Sequence, residues 1–415
     1  MSDSLRLGAN RATLIAILGI LCAFDAMSID LYLPAFPAIG QTIGTDAAGM
    51  QTSLSVFLIG LAFGQILFGP FTDRYGRKGP LLIGIALFLA ASLCLSHATS
   101  LSEFVFLRLL QGIGGASGLV IPRAIVADLY AEREAAKVFS LLMQVMAIAP
   151  IVAPPLGNML SGTLGWQAIF WGLGVVGAIM LFATWRWVPE SLPRGQRMQG
   201  NIGSAFVGYT ALFRQRIYMG YTLSGAFTMG GLFTYIGASA FIFIEYFHLS
   251  PTLYSTLFAA NALGMVVCGQ INIFLLNHWR EQQILAVGLG IHLVGTLLLV
   301  GVWLSGGAML WLLTVLLFMT MSSLSLVFGN GVAVAMGSAV GQTGVASSLL
   351  GVMQYLFGGL VGVLLGVLHD GTLLPPLLML AVCALAALVC WYDAHRRPLG
   401  TNAVKPSPVS ETTHG

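Results

Sequence analysis

The sequence predicts an all-α polytopic membrane protein with twelve transmembrane helices in two six-helix halves. Three observations carry this. Hydrophobic residues fill 57% of the 415 positions and charged residues 8%, with a mean hydropathy of +0.89, too apolar and too poor in charge for a soluble globular chain. The apolar residues come in runs of about twenty, the length a helix needs to cross the hydrocarbon core. The bases fall between alternate runs, as the retention of Lys and Arg on the cytoplasmic side requires.

The first helix is expected near residues 12–34: the apolar run after Arg11 continues through Asp25 and Asp30 to Tyr32-Leu33-Pro34 without a small-residue cleavage site, so it reads as a retained helix. Further apolar runs place helices near 50–70, 79–98, 104–127, 138–161 and 167–188, completing residues 1–188 as the N-terminal half. Pro189 to Arg216 is polar, with Pro193, Gly195, Gly200 and Gly203 and the bases Arg194, Arg197, Arg214 and Arg216, and reads as a cytoplasmic linker, 189–216. The C-terminal half, 217–393, follows with runs near 217–244, 253–276, 283–304, 308–335, 346–368 and 373–392. Residues 394–415 are polar and rich in Pro, Ser and Thr, with nothing to bury, and read as a disordered cytoplasmic tail. With the N-terminus inside, Arg6, Arg11, Arg133, Lys137, the linker bases, Arg280, Arg396, Arg397 and Lys405 all lie on the cytoplasmic side, and a miscounted helix would have put later bases on the wrong face.

The net charge of +3 reflects loop placement, and no basic patch with interleaved aromatics suggests nucleic acid. Cys22, Cys94, Cys268, Cys383 and Cys390 all lie in apolar runs without zinc or redox spacing, so neither metal nor disulfide nor cofactor is expected. No Walker loop, nucleophile elbow or His cluster supports an enzyme, and the outer loops are too short for a receptor domain.

One stretch breaks the apolar pattern: Gly69-Pro70-Phe71-Thr72-Asp73-Arg74-Tyr75-Gly76-Arg77-Lys78 places three bases and an acid between two long runs, so it cannot lie in lipid. Gly-x3-Asp-Arg-x-Gly-Arg-Lys between the second and third helices resembles the signature loop of the major facilitator superfamily of secondary transporters. Ser28-Ile29-Asp30-Leu31-Tyr32-Leu33-Pro34, Arg108-Leu109-Leu110-Gln111-Gly112 and Ala149-Pro150-Ile151-Val152-Ala153-Pro154-Pro155-Leu156-Gly157 make the chain similar to the Bcr/CflA branch of drug:proton antiporters, which includes bicyclomycin and chloramphenicol exporters. The resemblance is detailed over the first half and mainly one of hydropathy over the second. It implies the major facilitator fold, a multi-pass monomer in the bacterial inner membrane with both termini cytoplasmic, and small-molecule drugs and protons as its partners.

Intramembrane charges are costly and by default functional. Asp30 lies four residues before the outer end of its helix and Arg108 about four after the start of its own, so the two are expected at similar depth and paired; the pair reads either as a coupling site or as a structural tie. Asp25, about 7 Å deeper and some 140° around the helix, has no evident cationic partner, and a coupling role and a bond to a neighbouring Ser or carbonyl stand side by side. Arg123 is expected to snorkel to the interface.

The resemblance implies that Gly69, Asp73, Arg74, Gly76, Arg77 and Asp128 form a cytoplasmic gating cluster, and Asp73 is expected to face Gln342-Thr343-Gly344. It also implies an antiporter motif in Pro150, Pro154 and Gly157, in a kinked, closely packed fifth helix, although alanines replace several glycines of that motif. A cavity wall of Tyr32, Gln111, Met143, Gln144, Met146, Phe227, Phe233, Tyr235 and Asn330 suits a lipophilic, weakly polar ligand, and ordinary helix packing is the alternative for each. His292 reads as a packing residue. The expected function is proton-coupled efflux of small lipophilic drugs; the alternative is a proton-coupled transporter of a metabolite such as a sugar or amino acid.

Overall fold

The computed structural model describes residues 3–130, 132–197, 209–306, 309–339 and 343–396, and the elements follow the apolar runs. The first half contains α1 (Asp3–Cys22), α2 (Phe24–Asp30), a 3-10 turn at Leu33–Ala35, α3 (Phe36–Ile43), α4 (Ala47–Tyr75), α5 (Lys78–Leu95), α6 (Leu101–Leu129), α7 (Glu132–Leu164) and α8 (Gln167–Trp187). The second contains α9 (Arg216–Ala240), prolonged by a π-turn at Phe241–Tyr246, then α10 (Pro251–Leu275), α11 (Glu281–Leu304), α12 (Leu310–Ser338), α13 (Thr343–Val367) and α14 (Leu374–His395). Among the described residues eleven helices are each long and apolar enough to cross a membrane, and the twelfth span is a bent pair. Gln342, residues 198–208 of the linker and the tail beyond Arg396 lie outside the described residues.

The bent pair corrects the expected straight first helix. Arg11–Cys22 and Phe24–Ile43 meet at 40°, because at Ala23 the backbone donates to Ile20 O (3.1 Å) before the helix resumes with Met27 N on Ala23 O (2.9 Å). Pro34 and Pro37 then rule out one continuous hydrogen-bond ladder through this segment. The other starts have local causes: Asp46, Ser100 and Ser250 each accept from the backbone N–H three residues on, satisfying an orphan donor of α4, α6 and α10.

Glycines bring helices into backbone contact. A Cβ at Gly60 would meet Leu109 O of α6, and one at Gly112 would meet Phe57 O of α4, so these two helices pack without side chains between them. Across the halves α4 lies on α13, where Gly359 sits against the Ser55 carbonyl, and α7 lies on α10, where Asn158 Nδ2 donates to Thr252 Oγ1 at 3.1 Å. Large apolar side chains such as Ile83, Val175, Phe182, Leu297 and Val315 point outward. In water that surface would be unstable; against lipid it is the expected exterior.

Candidate functional site: a gating loop and a buried carboxylate seam

At the bundle face where α4 ends, Gly76 takes a φ of +95°, a conformation that favours glycine. A Cβ there would run into the Glu190 carboxylate, which accepts from the Arg77 and Lys78 backbone N–H groups (2.8 and 3.4 Å) and so caps the start of α5. Arg77 turns back into the bundle. Its Nε donates to Asp128 Oδ2 (2.9 Å), Nη2 to Asp128 Oδ1 (3.4 Å), and Nη1 to Asp73 Oδ1 (2.5 Å) and Thr72 Oγ1 (3.0 Å). Burial alone would lower the guanidinium's pKa, but the Asp128 and Asp73 carboxylates outweigh it and hold it above its ordinary value. Ser191 Oγ donates to Asp128 Oδ2 (2.8 Å), and Arg197 pairs with Glu190 at 3.5 Å.

Asp73, Arg77 and Asp128 therefore come together. Gly69 stands clear of neighbours on α4, and the Arg74 guanidinium lies 5.7 Å from the Tyr75 ring centre. Sequence reasoning missed Glu190 and Ser191; the signal was the lone acid of the Pro189-Glu190-Ser191 stretch directly after α8. Of the expected contact of Asp73 with Gln342-Thr343-Gly344, Gln342 lies outside the described residues, and the partner found for Asp73 is Arg77.

Within the membrane the expected Asp30–Arg108 pair does not form. Arg108 is fully buried between the rings of Tyr32 (4.3 Å) and Phe57 (4.1 Å), and its Nη1 donates to Gln111 Oε1 (2.5 Å) and the Ser28 carbonyl (3.2 Å). Gln111 is held in turn by Ser92 Oγ (2.9 Å). Similar depth is not enough for pairing, because depth does not fix azimuth. Residue 32 meets Arg108, and Asp30, two residues or about 200° of helical turn away, is turned elsewhere. It lies within electrostatic range of Tyr235 on α9, Tyr254 on α10 and Asp25.

Asp25 is also buried, in the first turn of α2 after the break. Its Oδ2 accepts from the hydroxyl of Tyr355 on α13 at 2.6 Å, and its Oδ1 is buried without a hydrogen bond. Neither a neighbouring Ser nor a carbonyl is its partner. Arg123 is exposed, as snorkelling would have it, yet lies in electrostatic range of Asp25, Cys22 and Tyr355. Tyr355 was missed because a Tyr in an apolar run carries no spacing that marks it.

The expected cavity wall divides. Tyr32, Gln111 and Asn330 are buried and engaged: Tyr32 OH lies 3.3 Å from Ser53 Oγ, and Asn330 Nδ2 donates to Asn272 Oδ1 at 2.7 Å. In this structure they pack between helices. Phe233 and Tyr235 are buried at the junction of the halves. Phe233 lies 6.0 Å from the Tyr355 ring, and Tyr235, stacked on Phe258, has an unpartnered hydroxyl. Phe227 packs edge-on to Phe357 at 5.0 Å, Met143 and Gln144 are exposed on α7, and Met146 is half-buried. Helix α7 runs unbroken through Pro150, Pro154 and Pro155, and Gly157 is pressed against the Leu31 carbonyl with no room for a Cβ. His292 is fully buried with Nδ1 3.2 Å from Thr320 O.

Comparison with known proteins agrees with this architecture. Residues 17–363 match the Major Facilitator Superfamily. The chain is 32% identical over 402 residues to the uncharacterized MFS-type transporter YdgK of Bacillus subtilis (strain 168), covering 95% of this chain and 98% of that one. It is 26% identical over 389 residues to a bicyclomycin resistance protein homolog of Haemophilus influenzae (93% and 96% covered) and 34% identical over 295 residues to a chloramphenicol resistance protein of Pseudomonas aeruginosa (70% and 69%). Among solved structures, a D-xylose-proton symporter matches with a TM-score of 0.72 at 14% identity over 93% of this chain and 97% of the other. A bacterial homolog of the human lysosomal transporter Spinster, in an inward-facing and occupied conformation, matches at 0.73 and 14%, with the same coverage. At such identities the structures speak for the fold alone. Twelve spans in two halves, the Gly76–Arg77 turn locked onto Asp128 and the sequence match together give one conclusion: the chain belongs to the Major Facilitator Superfamily, in the branch that holds relatives named for bicyclomycin and chloramphenicol resistance.

Proposed function

We propose that this protein exports small lipophilic drugs across the bacterial inner membrane, driven by protons and working by alternating access between residues 1–188 and 217–393. The observation that carries the reading is the pair of buried carboxyls, Asp25 and Asp30, at the junction of the halves: Asp25 is bonded to Tyr355 of the second half, Asp30 lies in range of Tyr235, and neither forms an ion pair among the described residues. A carboxyl held by a permanent ion pair stays charged; one without it can take up and release a proton as its surroundings change. The junction offers aromatic surface, single hydroxyls and the carboxamides of Gln51 and Gln65 but few charged anchors, which favours a lipophilic, weakly polar ligand.

The distribution of basic loops supports a reading with the Arg77 face and both termini in the cytoplasm. Asp73, Arg77 and Asp128, with Gly69, Arg74 and Gly76 shaping the turn, form the gate on that side, and 189–216 links the halves of a monomer. Gly157 lets α7 lie against the first span at Leu31, and with Pro150 and Pro154 it forms the proposed antiporter motif. Drug uptake into inverted membrane vesicles tests the proposal. It should rise when a proton gradient is imposed and collapse with a protonophore; uptake that persists after complete collapse of the gradient would make facilitated diffusion the better reading.

A further inference from the structure

We propose that Tyr355 is the positioning residue for Asp25, and that their hydrogen bond is a proton-sensitive clasp between the two halves. The proposal rests on the reading of Asp25 as a proton-binding group. The bond joins α2 of the first half to α13 of the second at 2.6 Å, within the span of charge-assisted O–H···O contacts. Two features hold it in place. The break at Ala23 starts a new helix segment at Phe24 and sets it at 40° to α1, with Asp25 in its first turn. On the other side Phe233 of α9 packs 6.0 Å from the Tyr355 ring and is itself wedged against Gly358, where a Cβ would not fit.

The carboxylate has one oxygen in use and one spare: Oδ1 is buried and without a partner. A proton from solvent can bond to Oδ1 without displacing Tyr355, and no other bond breaks. The charge is lost, however, and the Tyr355 bond to Oδ2 changes from charge-assisted to neutral, about half as strong. The groups that face Asp25 are Cys22 from α1, Asp30 from the end of α2, Arg123 from α6 and Tyr355 from α13. Proton uptake at Asp25 weakens this bond and so shifts the balance at a point where both halves are in contact. The change in bond strength corresponds to about a tenfold change in the ratio of joined to separated halves.

The test uses purified full-length protein in nanodiscs, with a donor–acceptor dye pair carried at positions 137 and 280, on exposed residues of the two halves. Between about pH 8 and about pH 6 the ratio of the two separations should shift about tenfold in the unaltered protein. Tyr355→Phe and Asp25→Asn should each reduce that shift to under about twofold, and the double variant should add nothing further. A full shift in Tyr355→Phe, or in Asp25→Asn, overturns the clasp. Should Tyr355→Phe fail to give monodisperse protein, infrared difference spectra of otherwise unaltered protein with isotope-labelled tyrosine decide the matter. Acidification should move a tyrosine C–O band, and that movement should vanish in Asp25→Asn; a band that does not move rejects the clasp. Export in vesicles separates the two readings. A full shift in Tyr355→Phe with gradient-driven export intact rejects the clasp alone, whereas a responsive clasp in a protein that exports no drug rejects the transport reading and leaves the clasp standing.

Discussion

Replacing Arg77 by Met keeps most of the side-chain stem but removes the guanidinium that ties the α4–α5 turn to α6. Its two ion pairs are not equal. The Asp128 side chain is 19% exposed and meets Arg77 through two N–H groups, whereas Asp73 is 54% exposed and lies one helical turn away. A largely buried charge-assisted contact contributes about 1.5–3 kcal/mol, and a half-exposed pair about 0.2–1 kcal/mol. Arg77→Met should therefore cost about 2–4 kcal/mol, Asp128→Asn about 1.5–3 and Asp73→Asn under about 1. Because Arg77 and Asp128 act through one contact, the double variant should cost no more than Arg77→Met alone, to within about 0.5 kcal/mol. Unfolding of the purified protein in mixed micelles with rising denaturing detergent reads all four. If Asp73→Asn proved as costly as Asp128→Asn, or if the double variant were additive, the cluster would not be organised around the Arg77–Asp128 bond. Asp73 would then be left to transport kinetics: its substitution is expected to slow exchange while leaving drug affinity within a few-fold.

Two further outcomes are expected. Asp30→Asn should abolish gradient-driven export of every substrate while Asp25→Asn retains export of neutral drugs, measured as drug susceptibility in cells lacking other exporters; the reverse result would transfer the essential role to Asp25. Gly157→Ala places a methyl on the Leu31 carbonyl, an overpacking that should cost about 1–3 kcal/mol or force α7 away from the first span; unchanged stability together with unchanged transport would show that this close approach is dispensable.

Much of this protein is legible in its amino-acid sequence. The twelve spans come from hydropathy, and their boundaries fall within six residues of the observed helices except in the first. The Asp73–Arg77–Asp128 cluster is what the resemblance of the signature loop implies, and the three side chains meet in the structure. The break at Ala23 is not legible: no proline or glycine stands there, and the apolar residues continue across it from Leu21 and Cys22 to Phe24. Glu190 sits in a stretch that reads as a plain linker, and only its position beside Gly76 shows that it caps α5.

Composition and residue order alone specify twelve stretches long and apolar enough to span a membrane and the rise that separates buried charges along each helix. Those properties depend on hydropathy and on rise per residue, both of which are local and additive along the chain. Which side chains meet is settled by the assembled bundle. Arg108 takes two aromatic rings and Gln111 instead of Asp30, and Asp25 finds Tyr355, 330 residues away in the chain. The physical reason is azimuth: a two-residue step turns a side chain through about 200°, and which neighbour waits there depends on a break in one helix and on glycines that let others approach, neither of which residue spacing alone encodes.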